Sequence, residues 1–303
     1  MFFNLKPLTD NNSATRPSEF YEKNCHATLS IKSPLVLLCD ATSRKWIEPL
    51  RKMLSDSPTY FIEKPLYEYD FYSLNHPIIV KNRSTKASYL DPTNRNTPSY
   101  FLTCMFKLIA LKIAYETVPD ATHYAWIDFG CQHIVWEALT RLQSVLDAPL
   151  PKVAMTYIHY RSHDSIKNVT SCLWSHGICS LAGTVYTVER SYLYPFYTQC
   201  MKVFYEQLSL TVGHNDEQVY MYVYDRNPEL FTLIYGDYYS VVANYHRPVR
   251  DYFAIKHFFI KNVLEAGRRD LAATCGRVVL SSCESGHLSL DAGEQEYVRS
   301  LLT

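Results

Sequence analysis

Asp128 stands in the run HYAWIDFG (123–130), where an acid and then a glycine close a strongly apolar stretch. An acid at a strand end offers its carboxylate oxygens to a ligand, and Gly130 allows a close backbone approach that a side chain would block. Asp40 repeats the arrangement at the end of SPLVLLCD (33–40). Each acid has a second use as a helix N-cap, a common task of Asp after a strand. Asp216 and Glu217 adjoin in HNDEQ (214–218). Neighbours at a helix start cannot both face one point, so they either divide a task or form an acidic first turn favoured by the helix dipole. His159 and His163 in HYRSHD are four apart, a spacing that on a helix could share a metal. The glutamate that follows the first histidine of a zinc-protease helix is missing, and the run follows a strand, so it reads as a loop. His133 and His176 read as ordinary polar residues.

These residues need elements to hold them. SPLVLLCD is a short bounded apolar run, and WIEPLRKML after it has helical spacing, which predicts a strand and then a helix. HPIIV (76–80) reads as another strand. Apolar residues at 102, 105, 106, 109, 110 and 113 mark one face of a helix that Pro119 closes. HYAWIDF then reads as strand, VWEALTRLQSVL as helix and KVAMTYI as strand, a βαβ-like order that predicts a mostly parallel sheet. ICSLAGTVYTVER is extended and leads into a helix near 189–210. NDEQVYMYVYDRNPELF is helical up to Pro228, and FTLIY (231–235) returns to strand. From about residue 247 the chain reads as mixed helix and loop with a polar tail. The fold class is therefore α/β, in one domain flanked by helices, with no internal repeat.

Composition excludes several functions. The chain has 303 residues, 47% of them apolar, and only 9 glycines, enough to bury a large core. Thirty basic residues balance thirty acidic ones, so no global field draws in nucleic acid. The nine cysteines are odd in number and never spaced Cys-x-x-Cys, as expected of small buried residues in a reducing compartment. The N-terminus lacks a basic segment followed by an apolar run, and FLTCMFKLIALKIAY is broken by Lys107 and Lys112, so neither a signal peptide nor a transmembrane segment is expected. A cytoplasmic location follows. The 25 tyrosines suit the faces and rims of sugars, although packing accounts for most of them.

The run MFKLIALKIAYETVPDATHYAWIDFG, followed by GHNDEQVYMYVYDRNPELFTLIYGDYYSVVANYH, resembles the HtrL/YibB family, read as glycosyltransferases. With the opening FFNL, RPSEFY and PLVLLCD, the resemblance covers most of residues 1–246. The order of parts is also similar to the blood-group-type galactosyltransferases of the GT-A fold. Those enzymes carry a basic helix, a strand ending Asp-x-Asp, a Phe-Gly-Gly acceptor segment and a His-Asp-Glu-Ser motif before a helix. The resemblance implies a GT-A-type nucleotide-sugar-binding fold with a nucleotide-binding half (1–150), an acceptor and catalytic half (151–250) and a C-terminal helical extension (251–303).

Carried over by motif, Lys107 falls where such enzymes keep a basic residue near the donor, and Asp128 matches the first acid of Asp-x-Asp. Asp40, Arg44 and Gly130 join them as donor-binding candidates. Ala182, Gly183 and Thr184 match the acceptor segment, to which His214 is added, and Asp216 and Glu217 match the catalytic acids. The second acid of Asp-x-Asp, usually a metal ligand, is Gly130 here. A hard cation, Mn²⁺ or Mg²⁺, would take oxygen from Asp128, and His246 could complete its site. Charge growing on a leaving diphosphate needs such a cation or a basic side chain, and a carboxylate serves the anomeric carbon or the acceptor hydroxyl. The implied function is a hexosyl- or pentosyltransferase moving a sugar from a UDP-sugar to a glycan acceptor. A non-catalytic carbohydrate or nucleotide-sugar-binding protein and a metal-dependent nucleotide-sugar hydrolase are the alternatives.

Overall fold

A computed structural model describes residues 1–5, 8, 10, 16–85, 97–162, 180–209 and 216–303. Strand β1 (Leu35–Cys39) is the apolar core of the first run. It pairs in parallel with β2 (Thr59–Glu63), Leu35 opposite Thr59 and Cys39 opposite Glu63. Between them runs a helix, Ala41–Leu54, which buries Ile47 and begins at Asp40. The Asp40 carboxylate accepts from Ser43 N (2.8 Å), Ser43 Oγ (3.0 Å) and Asn4 N (2.8 Å). That uses one of the helix's unpaired amides and ties the N-terminal strand segment to the same acid.

The second sheet departs from the expected one. Its order is β3 (His123–Ile127), β5 (Val185–Glu189), β4 (Val153–Tyr157), β6 (Phe231–Tyr235). β5 is antiparallel to both β3 and β4, and only the β4–β6 pair is parallel. Among the described residues the protein is thus mixed α/β with two small sheets, not one mostly parallel sheet. The βαβ reading of 123–158 gives β3 and β4 the same direction, but the later VYTVE segment lies between them. Every residue of β4 is buried, as expected of a strand covered on both faces.

HPIIV is not a strand. It lies inside a helix, Asp70–Thr85, which turns Tyr72 and Ile79 inward and leaves Ile78 and Val80 exposed. Those two inward residues are seven apart, two helical turns, so tertiary packing overrides the β-branched run. Nor is the C-terminus a polar tail: Asp291 caps a helix, Ala292–Ser300, whose Val298 is fully buried.

Helix α5 (Pro98–Thr117) starts at Thr97, whose side chain accepts from Tyr100 N. It packs along β1 and β3 with Phe101, Leu102, Met105, Phe106 and Leu108 buried. A later helix, Arg190–Ser209, packs on β4 and β5, and α8 (Asp216–Arg226) packs against both that helix and α5. The end of β3, the start of α8 and the start of β5 converge on the flank of α5. Helical segments from Tyr252 onward complete the main core through Ile255, Phe259, Val263, Cys275 and Val279. Cysteines 25, 39, 104, 131, 200 and 275 are buried and free; Cys172 and Cys179 lie outside the described residues. No helix among the described residues is long and apolar enough to cross a membrane.

Candidate active site

Lys107 sits in the middle of α5 with its ammonium at the meeting point of three segments. Nζ donates to Gly183 O (2.8 Å) and lies 2.9 Å from Asp216 Oδ2 and 3.1 Å from Asp128 Oδ1. The side chains of Lys107 and Asp216 are 9% and 3% exposed, whereas that of Asp128 is 37% exposed and reaches the surface of the cluster. Burial penalises the ammonium, but Asp128 and Asp216 outweigh it and hold its pKa well above the usual lysine range. Burial pushes the Asp216 carboxyl the other way from an ordinary carboxylate, up to about 7, against the pull of Lys107.

Asp128 is not a cap. Trp126 Nε1 donates to its Oδ1 at 2.7 Å, two residues back on the same face of β3, and its backbone N–H donates to Thr184 O (2.8 Å). The short helical turn that follows, Cys131–His133, has no side-chain cap.

Gly183 joins the acids. Its N–H donates to Glu217 Oε1 (2.9 Å) while its carbonyl accepts a hydrogen bond from Lys107 Nζ. Tyr238, beyond β6, donates its hydroxyl to Glu217 Oε2. Asp216 and Glu217 therefore face different partners, Lys107 and the Gly183–Tyr238 pair, as adjacent residues at a helix start must.

A cavity of about 340 Å³ opens over this cluster, lined by Lys107, Asp128, Asp216, Glu217, Thr184 and Tyr238 together with Tyr21, Tyr100, Trp126 and Phe129. Its size lies in the range of small-molecule sites, and the mix of aromatic walls and converging polar groups is typical of them. Arg16 and His133 are on its wall. Arg16 Nη1 donates to His133 Nε2 (3.0 Å), which leaves the His133 Nδ1–H to donate to Gly130 O. A second cavity of about 180 Å³ lies between β1 and β3; its lining, apolar for the most part, contains no acid.

The structure brings Lys107, Asp128, Gly130, Gly183, Thr184, Asp216 and Glu217 together. Ala182 is fully buried behind them, its N–H donating to Thr156 O. Asp40 and Arg44 lie outside the cavity lining: Asp40 caps its helix, and Arg44 pairs with Glu48 and Glu63 on the surface. His246 lies at the opposite end of the sheet from Asp128, hydrogen-bonded to Ala148 O ahead of β4. His214, His163 and His176 lie outside the described residues. Sequence reasoning missed Trp126, Tyr238 and Arg16. The Trp–Ile–Asp spacing places Trp126 and Asp128 on one side of an extended chain, a signal open to reading; nothing local marks the other two.

A divalent cation does not fit the cluster as it stands. No group of three His, Cys, Asp or Glu side chains able to hold a metal occurs among the described residues. Lys107 takes an oxygen from each of Asp128 and Asp216, and Glu217 spends both oxygens on Gly183 and Tyr238. Gly130 offers no ligand, and His246 is out of reach.

The chain matches a family model described as bacterial protein of unknown function (HtrL_YibB), over residues 8–246. No curated protein matches it. Among solved structures it is similar to the crystal structure of mouse xyloside xylosyltransferase 1 in its apo form, at 10% identity and a TM-score of 0.40, with 77% of this chain and 82% of that chain covered. That likeness is too distant to carry a function across. The family match covers the cavity-lining residues from Arg16 to Tyr238, and by it the chain belongs to the HtrL/YibB family.

Proposed function

We propose that this protein is a glycosyltransferase that moves a sugar from a nucleotide-sugar donor, UDP-linked, to a glycan acceptor. The observation that carries the reading is the buried Lys107–Asp128–Asp216 cluster at the floor of a cavity of about 340 Å³ with aromatic walls. In the transfer the bond from the anomeric carbon to the diphosphate oxygen breaks and its electron pair leaves with the phosphate. The acceptor hydroxyl forms the new bond and gives up its proton. Glu217, oriented by two donors at the cavity edge, takes the part of the base. Asp128 offers a half-exposed carboxylate, anchored on one oxygen, to donor hydroxyls. Tyr21, Tyr100 and Trp126 offer flat faces to the base and sugar.

The test is a thermal-shift panel of uridine, guanosine and cytidine nucleotides and their sugars. A ligand that binds only the native state raises the midpoint. Uridine nucleotides are expected to stand out; equal indifference to every nucleotide overturns the reading.

A further inference from the structure

We propose that this centre works without a divalent cation, and that Lys107 holds from within α5 the position a metal would need between the strand-end acid and the helix-start acid. The proposal rests on the glycosyltransferase reading only for what the charge is used for. The occupancy of the carboxylates stands on geometry alone.

An ammonium has three N–H donors. Lys107 spends one on Gly183 O (2.8 Å) and holds Asp216 Oδ2 (2.9 Å) and Asp128 Oδ1 (3.1 Å) in ion-pair contact. Asp128 Oδ1 also receives the Trp126 indole N–H, so that oxygen is doubly engaged. A hard divalent ion takes six or more oxygens and binds proteins through carboxylates. To reach Asp128 and Asp216 together it would have to expel the ammonium or sit beside it, and two cations side by side in a buried site repel strongly. Lys107 cannot diffuse away, since it is anchored by the apolar packing of α5 on both sides of it.

Among the described residues the remaining ligands of an Asp-x-Asp centre are also missing from the cluster. Gly130 stands at the second acid, and its carbonyl already accepts from both the ring N–H and the backbone N–H of His133. His246 is at the far end of the sheet. Positive charge facing the cavity comes instead from Arg16, whose planar fork suits phosphate oxygens. Arg16 is exposed on the cavity wall beside the engaged His133. The step needs no co-reactant: the electron pair of the broken bond rests on the leaving phosphate, met by Arg16 at the cavity wall.

The experiment reads Mn²⁺ directly. The metal-stripped protein is titrated with Mn²⁺ while free Mn²⁺ is followed by its paramagnetic resonance signal, for the parent and for Lys107→Met. The parent is expected to take up no Mn²⁺ below about millimolar concentration, and Lys107→Met, with two carboxylates released, to bind it at least tenfold more tightly. Stoichiometric Mn²⁺ uptake by the parent overturns the proposal. A folded Lys107→Met that still ignores Mn²⁺ overturns the role given to Lys107. Should that variant fail to fold, the parent titration alone decides. In parallel, the thermal shift from UDP is measured in excess EDTA and in Mn²⁺. Equal shifts support the proposal, and a shift seen only with Mn²⁺ overturns it. No UDP shift in either buffer overturns the glycosyltransferase reading while the Mn²⁺ titration still answers the cation question.

Discussion

Gly183 is the residue around which the cluster closes, and glycine is needed there for space rather than for backbone freedom. A Cβ at 183 would overlap Asp216 Oδ2 and approach Lys107 Nζ to 3.2 Å. Gly183→Ala is therefore expected to cost about 1–3 kcal/mol in urea denaturation and to abolish the nucleotide-dependent thermal shift; retention of both would show that the cluster gives way easily. Glu217 is equally informative. A helix-start decoration would cost a few tenths to about 1 kcal/mol on conversion to Gln, but here the side chain is buried between two donors. Glu217→Gln leaves one of those donors facing an amide NH₂, so a cost of about 1–3 kcal/mol is expected, with turnover lowered roughly a hundredfold. Turnover within a fewfold of the parent removes Glu217 from the chemistry. Asp216 carries a pH signature. Its carboxyl is raised from an ordinary 3.8 to about 7, chiefly by burial. A raised acid favours the folded state while protonated, so its contribution is full below pH 3.8 and fades as pH climbs through 7. Between about pH 4 and pH 8 the stability difference between Asp216→Asn and the parent should move in the variant's favour; parallel melting curves across that range would contradict this. The sequence shows Asp128 because an apolar run ending in an acid is a local pattern. Lys107, Asp216 and Glu217 were reached through motif order, and Arg16 and Tyr238 join the site only through contacts more than twenty residues away in the chain.

At the scale of elements, the same strand-end rule that marks Asp128 misplaces Asp40, because an acid between strand and helix is read identically whether it caps or binds. The hydrogen bonds separate the two: Asp40 spends its carboxylate on Ser43 and Asn4, Asp128 on Trp126 and Lys107. Asp40→Ala should accordingly cost about 0.5–2 kcal/mol and leave the nucleotide response intact, and a lost response at unchanged stability would return Asp40 to the donor site. The helices were legible where apolar residues recur on one face, as along α5. HPIIV misled because four apolar or β-branched residues in a row carry no period, and only the neighbours at 72 and 75 show the helical face. The parallel sheet misled for another reason: direction along the chain does not reveal which later strand enters between two earlier ones.

For the whole molecule, the family match stops at residue 246 while the core does not. Ile255, Phe259, Ile260, Val263, Cys275, Val279 and Val298 are buried in the same cluster as β4 and α5, and Phe259 packs on the rings of Tyr157 and Tyr235. Each such side chain is worth about 1.5–3 kcal/mol on burial, against a typical total stability of about 5–15 kcal/mol. A chain ending at residue 246 should lose its cooperative unfolding transition, measured by circular dichroism; a folded truncation would make residues 247–303 an appendage.

The insertion of β5 between β3 and β4 also sets an order of events at the ribosome. Residues 123–157 emerge with two strands that are not paired with each other in the finished sheet, and both wait with an unpaired edge for β5, which follows β4 by about thirty residues. Unpaired edges are sticky, and closure of such long-range pairings is slow. The ligand cavity is later still, because its last wall residue, Tyr238, follows the final strand. A nascent chain arrested before that point has no substrate to stabilise it, so the exposed interval is one that only chaperones can guard.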